Sequence, residues 1–115
     1  MGVASGPITT STSYIPLTDM SLTVNSVGGD FLIGYTLNAY NSAANNVYAK
    51  LYVDGVAISQ GMVYSCPSAA LASMMTEELP IYLGVGVHKI DLYWCAGGGT
   101  ATAVGTLRTL TAIEL

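Results

Sequence analysis

The stretch that decides the fold is VHKIDLYWC (residues 87–95), which is followed by a triple glycine at 97–99 and a second apolar run. Within it Ile90, Leu92 and Trp94 recur at every second position. A period of two residues predicts a β-strand with one buried face. The glycines predict the tip of a hairpin that joins this strand to the run after it.

The same two-residue alternation recurs elsewhere in the chain. The strand-like runs are Ser21–Asn25, Phe31–Asn38, Val47–Val53 and Met62–Ser65. Asp54 and Gly55 form a dipeptide typical of tight hairpins. Residues 38–46, rich in Asn, Ser and Ala, predict a loop.

The segment from 69 to 83 is ambiguous, because its Ala- and Met-rich start fits a short helix as well as a strand. Strand is favoured because its neighbours are strands, and Glu77–Pro80 is then a turn or an edge. Turn signals about every 8–12 residues predict an all-β, antiparallel β-sandwich or barrel of about eight to ten strands. Residues 13–115 would form this single domain, after an extended or flexible arm at 1–12.

Charge is scarce in this chain. Its 115 residues include three Lys or Arg and seven Asp or Glu, for a net charge of −4, while 51% are hydrophobic. A typical domain is about 25% charged. Either Thr, Ser, Asn and Gly make a polar surface without charge, or a further face is buried in an oligomer or larger particle; we favour burial.

Composition also limits the partners. Three scattered basic residues make no phosphate-binding patch, so no nucleic-acid partner is expected. No apolar run is long enough to span a bilayer, and the start of the chain lacks the features of a signal peptide. Synthesis in the cytoplasm is therefore expected.

No catalytic or metal constellation is apparent in the sequence. His88 is the only histidine and lacks a recognisable nucleophile motif, and the acids fit turns and strand surfaces. Cys66 and Cys95 are either two buried thiols, which we favour, or a disulfide. We expect a protein that is not an enzyme and that needs no cofactor and no metal.

Tyrosines provide a surface signal. Tyr48 and Tyr52 flank Lys50 on the face of their strand opposite Leu51. Tyrosine combines a large apolar ring with a polar hydroxyl, which suits interfaces and sugar stacking. Tyr48, Lys50 and Tyr52 are therefore a possible ligand or partner face, although cover by another strand or subunit is the commoner use of such a face.

The final run is apolar or small on both faces, which is typical of a strand covered on both sides. In a sandwich this small, the second cover is expected to be another subunit. The residues predicted for this oligomer interface are Leu107, Leu110, Ala112, Ile113 and Leu115.

Several stretches together resemble a known family. They are TSTSY (10–14), GGD (28–30), LYVDGVA (51–57), GVHKIDLYW (86–94), GTAT (99–102) and RTLTAIEL (108–115). In this order they resemble small jelly-roll domains of bacteriophage and other virus particles, similar to the tumour-necrosis-factor/C1q type of trimeric sandwich.

The resemblance implies a jelly-roll fold, assembly as a homotrimer and no catalytic residues. It implies a virion structural protein, either a capsid decoration protein or the head of a spike or tail fibre, with other capsid or tail proteins as partners. The alternative is a tail-fibre module that binds a carbohydrate or receptor, such as a host surface glycan, through the surface tyrosines.

Overall fold

Ten strands make up the computed structural model, which describes residues 5–105 and 108–115 and has no helix in those ranges. The strands are β1 (Ser5–Thr9), β2 (Ile15–Ser26), β3 (Gly29–Asn41), β4 (Asn46–Val53), β5 (Val56–Ala57), β6 (Met62–Ser65), β7 (Ser73–Leu83), β8 (Gly86–Ala96), β9 (Ala101–Val104) and β10 (Thr109–Glu114). Strand β1 therefore lies within the predicted N-terminal arm.

The strands form two five-stranded antiparallel sheets. In sheet A the strand order is β1-β9-β3-β7, and β10 pairs with β3 on the same side as β9. In sheet B the strand order is β2-β8-β4-β6, and β5 pairs with β4 on the same side as β6. Successive strands up to β4 alternate between the sheets, as β6 to β9 do. This is the strand order of a jelly roll, so the predicted all-β fold class is confirmed.

The hydrophobic core lies between the two sheets. The inward side chains of β3 include Ile33 and Leu37, and they oppose Leu51 of β4 and Ile90 and Leu92 of β8. All five are fully buried. Trp94 is buried beside them, so the predicted inward phase of residues 87–95 is confirmed.

One end of the sandwich differs from the prediction. The triple glycine 97–99 is not a hairpin tip, because β8 belongs to sheet B and β9 to sheet A. A backbone hydrogen bond from Gly97 to Asn46 and one from Asn41 Nδ2 to the Gly98 carbonyl hold it in place. The glycines therefore form a connection between the sheets, anchored by the neighbouring loop.

One element boundary differs from the prediction. Strand β3 runs to Asn41, so the first part of the predicted loop 38–46 is strand. The ambiguous segment is strand from Ser73, as favoured above, and Glu77–Pro80 lies in an edge strand, which was one of its two predicted alternatives. β7 pairs only with β3 among the described residues, and Pro80 is tolerated because an edge strand leaves one side unpaired.

Candidate interaction surfaces

The outer face of sheet A is almost free of charge. Strand alternation places the even-numbered residues of β3 and β7 on this face, together with Thr109, Thr111 and Ile113 of β10. Among the outward residues of these three described strands, only Asp30 and Glu78 carry a charge. Apolar groups lie at both ends of the face.

A depression interrupts the middle of this face. Gly34 forms its floor, and hydroxyl-bearing residues of three strands surround it, in a volume of about 340 Å³. The lining side chains are Thr36, Thr76, Glu78, Thr109 and Thr111. A Cβ at Gly34 would lie 3.0 Å from the Glu77 carbonyl oxygen, so glycine keeps the depression open at this point.

The structure divides the predicted oligomer interface. Leu110 and Ala112 are half-buried against the core of their own chain. Ile113 and Leu115 are 54% and 70% exposed and are available to a partner. Leu107 lies outside the described residues.

The predicted tyrosine face lies on the outside of sheet B and is larger than the sequence indicated. The rings of Tyr52 and Tyr93 stack with centroids 3.7 Å apart and an interplanar angle of 15°. The Lys50 ammonium lies 4.7 Å from the ring centroid of Tyr14, a cation–π contact. Tyr14, Tyr48, Lys50, Tyr52 and Tyr93 thus form one surface on the outside of sheet B.

Tyr14 and Tyr93 were not predicted to belong to this surface. Tyr93 follows the outward phase of β8, but its contact with Tyr52 depends on the register, which pairs Lys50 with Tyr93 and Tyr52 with Asp91. Tyr14 precedes β2, and no local pattern indicates that its ring reaches Lys50. The outward alternation of β8 was the one available signal.

Asp91 belongs to the same outer face but is buried. The alternation of β8 directs its side chain outward, and the register places it between Tyr52 and Ser21. However, only 7% of its surface is exposed. Its carboxylate takes part in neither of the two ion pairs and in none of the side-chain hydrogen bonds that the described residues form.

A polar network connects the two sheets at one edge. The Tyr35 hydroxyl donates to Glu77 Oε1 at 3.0 Å, and the Ser59 hydroxyl donates to the same oxygen at 3.2 Å. Ser59 Oγ in turn accepts the Leu51 backbone N–H of sheet B. Burial is the largest cause that raises the pKa of Tyr35, and the negative charge of Glu77 and its hydrogen bond raise this pKa further.

Asn41 holds three loops at one end of the sandwich. It is fully buried, and its Nδ2 donates to the carbonyl oxygens of Asn46 and Gly98 at 3.1 and 2.8 Å. Its Oδ1 accepts the Ala43 N–H, and its backbone carbonyl accepts the Ala70 N–H. Such complete pairing is what a buried amide requires.

The opposite end carries an ion pair. Asp54 follows β4 in a left-handed conformation (φ 51°), as the predicted Asp-Gly turn requires. Its Oδ2 lies 2.7 Å from His88 Nδ1, while Oδ1 accepts the Lys89 N–H. The other ring nitrogen of His88 lies 2.8 Å from the Gly84 carbonyl oxygen. The histidine thus joins two turns.

Both cysteines are buried as free thiols. Cys66 lies in the segment after β6, and Cys95 lies on the outer side of β8 opposite Tyr48. Burial raises the pKa of the Cys95 thiol, although the charge of Lys50 opposes this effect. A buried thiol of high pKa is a poor nucleophile.

The described ranges contain no cluster of three or more His, Cys, Asp or Glu side chains able to hold a metal ion. They also contain no helix of the length and apolar character needed to cross a membrane.

Comparisons with known proteins identify no family. No family model matches the chain, and no curated protein matches it. One solved structure with a related shape is a family 35 carbohydrate binding module from an environmental isolate, with a TM-score of 0.42 and 14% identity over 96% of this chain and 93% of that one. The fold assignment above therefore rests on the strand order of the chain itself.

Proposed function

We propose that this protein is a non-enzymatic structural component of a virus particle and that it assembles as a homotrimer through the outer face of sheet A. The observation that carries the proposal is the low charge of that face. Only Asp30 and Glu78 are charged among the outward residues of β3, β7 and β10. Subunit contacts are typically depleted in charge at their centre.

The shape of the face supports the same proposal. The depression over Gly34 gives an opposing subunit a recess in which side chains can insert. Ile113 and Leu115 expose apolar surface beside it, at the edge that β10 provides. Burying this edge in a closed trimer would also remove a site for uncontrolled strand pairing.

The virion assignment is supported by the jelly-roll strand order together with the resemblance of residues 10–115 to virion jelly-roll domains. Jelly rolls are frequent in capsid proteins but also occur in lectins and other classes, so the fold alone does not fix the function. Decoration of a capsid and the head of a spike or fibre are both compatible with a trimer of small sandwiches.

Light scattering coupled to size-exclusion chromatography tests the assembly. At micromolar concentration we expect three times the chain mass of 11.9 kDa. Ile113→Lys should shift the protein to monomer, because a lysine would be buried without a partner. Val87→Lys is the matched control, since Val87 is 67% exposed and faces outward on sheet B. A wild-type monomer, or a trimer unaffected by Ile113→Lys, would contradict the proposed interface.

Gene neighbourhood tests the virion assignment separately. Capsid genes beside this gene would support a decoration protein, and tail genes would support a fibre or spike. A neighbourhood without virion genes would count against the assignment, whatever the oligomeric state.

A further inference from the structure

We propose that the cleft between β2 and β10, at one edge of the sandwich, binds a small aliphatic monocarboxylate through the guanidinium of Arg108. The cleft lies between the edges of the two sheets, whereas the proposed trimer contact is the outer face of sheet A. The inference therefore goes beyond the structural role proposed above and does not depend on it.

Three strands enclose the guanidinium. Arg108 is the only arginine of the chain and comes directly before β10. Its Nη2 lies 3.2 Å from Oδ2 of Asp19, which belongs to β2 of the other sheet. A Cβ at Gly6 of β1 would lie 3.0 Å from the same nitrogen, so glycine lets the guanidinium pack closely on the backbone there.

The unpartnered donors of this buried cation are the observation that indicates a ligand. The Arg108 side chain is 10% exposed, and neither its Nε nor its Nη1 has an acceptor among the residues that the structure describes. Arginine is rarely buried unless it is paired, because desolvation of its N–H groups without compensation is costly. Asp19 accepts from one nitrogen only and is itself 57% exposed. A bound molecule with acceptor oxygens would supply what is missing.

The cleft beside the guanidinium has room for such a molecule. Its volume is about 190 Å³, and its lining combines the charged pair with the Ser21 hydroxyl and with apolar side chains. The apolar members are Met20, Leu22 and Leu110. Sites for drug-sized ligands occupy roughly 300–1,000 Å³, so the ligand expected here contains only a few carbon atoms.

An irregularity of β2 places Asp19 at the mouth of this cleft. The pairing of β2 with β8 shifts register between Pro16 and Ser21, and Asp19 has a left-handed backbone conformation (φ 66°). Such bulges change the direction of a side chain and are frequent beside binding sites. Because both free nitrogens of Arg108 are shielded in this conformation, a ligand reaches them when the guanidinium turns toward the cleft and Asp19 releases it.

The chemistry of the cleft favours a carboxylate over other anions. A carboxylate is planar and offers two acceptor oxygens, which match the donor geometry of a guanidinium. The charge of Asp19 opposes every anion, and it opposes the dianions of phosphate and sulfate more strongly than a monoanion. Leu22 and Leu110 provide apolar contacts for a short hydrocarbon chain. Butyrate is therefore the probe of choice.

Nuclear magnetic resonance of the full chain tests this assignment, because the single arginine gives a single Nε–H resonance. The protein is titrated with sodium butyrate, acetate, phosphate, sulfate and chloride at constant ionic strength and neutral pH. We expect a saturable shift of the Arg108 resonance with butyrate, a weaker response to acetate and none to the other salts. No response to any carboxylate, or an equal response to chloride or sulfate, would overturn the proposal.

Two variants separate a binding site from a merely structural ion pair, with the backbone amides of Ser21 and Leu22 as reporters. Arg108→Lys keeps the charge but loses the planar donors, and it should weaken butyrate binding roughly tenfold or more. Asp19→Asn removes the competing charge and should tighten binding roughly threefold. Lys89→Gln, which removes a positive charge from an exposed position of β8, is the matched control and should change nothing.

Circular dichroism and light scattering show whether each variant is folded and assembled. If Arg108→Lys does not fold, the wild-type titration and Asp19→Asn still decide the question. Weaker butyrate binding in Asp19→Asn, or unchanged binding in folded Arg108→Lys, would overturn the proposal. Dissociation of the oligomer by Arg108→Lys would also overturn it, because the acceptors would then belong to another subunit.

Discussion

The hydroxyl of Tyr35 donates a 3.0 Å hydrogen bond to the carboxylate of Glu77 at the edge of the sandwich. Tyr35 is nearly fully buried on β3, and Glu77 lies opposite it on β7. Ser59, in the chain that follows β5 of sheet B, donates to the same carboxylate oxygen, so Glu77 connects the two sheets.

Replacing Tyr35 with Phe should therefore lower the free energy of unfolding by about 1.5–3 kcal/mol, the usual range for one hydrogen bond to a charged group. Urea unfolding followed by circular dichroism measures it. Tyr40→Phe is the control: Tyr40 is half-buried on the outer face, and its hydroxyl makes none of the hydrogen bonds of the described residues, so a change within about 0.5 kcal/mol is expected. Equal losses in the two variants would argue against the role of Glu77.

Asn41→Ala should be more damaging, because it leaves three backbone groups without their partner. The carbonyl oxygens of Asn46 and Gly98 lose their donor, and the Ala43 N–H loses its acceptor. We expect a loss of about 2–3 kcal/mol in the free energy of unfolding. Asn38→Ala, on the exposed side of the same strand, should change stability by less than about 0.5 kcal/mol. A tolerated Asn41→Ala would mean that the three loops hold together without this amide.

The His88–Asp54 pair predicts a dependence of stability on pH. The hydrogen bond that His88 donates to Asp54 raises the pKa of His88, so its stabilising effect is complete below about pH 6.5 and is lost as the pH rises through the folded pKa. The backbone N–H of Lys89, and then His88, lower the pKa of Asp54. The stabilisation of the folded protein by Asp54 is therefore present above about pH 3.9, and it is lost as the pH falls through the folded pKa of Asp54.

The melting temperatures of the wild type and His88→Gln should consequently differ most between about pH 4 and 6.5, and the difference should shrink toward pH 9. Scanning calorimetry in buffers of constant ionic strength measures this difference. A difference in melting temperature that stays constant from pH 5 to pH 9 would show that His88 stabilises the turns through packing alone.

Both thiols should be protected in the folded protein. Cys66 and Cys95 are 3% and 4% exposed and unpaired with each other. Alkylation with iodoacetamide should thus modify neither at native pH within minutes, whereas both should react after denaturation without reductant. Mass spectrometry counts the modified groups. A denatured chain that reacts only after reduction would instead reveal a disulfide.

Much of the fold could be predicted because local patterns specify it. The alternation around Ile90 and Leu92 fixes which face of β8 is buried, and Asp54-Gly55 fixes a turn. The triple glycine at 97–99 was misassigned because a hairpin and a connection between sheets have the same local sequence requirements. The strand order alone distinguishes them, and no short-range pattern encodes it.

The surfaces were predictable to a smaller extent. Alternation placed Tyr48, Lys50 and Tyr52 on one face, but the contacts of Tyr52 with Tyr93 and Asp91 require the register of β4 against β8. The low-charge face of sheet A combines residues of three strands far apart in sequence. Composition indicated that such a face should exist without indicating where it lies.

The strand order of sheet A also has a consequence for biosynthesis. β1 obtains its partner only when residues 101–104 are available, and one side of β3 stays open until β9 and β10 are in place. Early strands must therefore remain unpaired while the ribosome completes the chain. Because such distant pairings also close slowly, on the order of milliseconds to seconds, the unpaired edges of the early strands stay open to pairing with other chains until β9 and β10 have been synthesised.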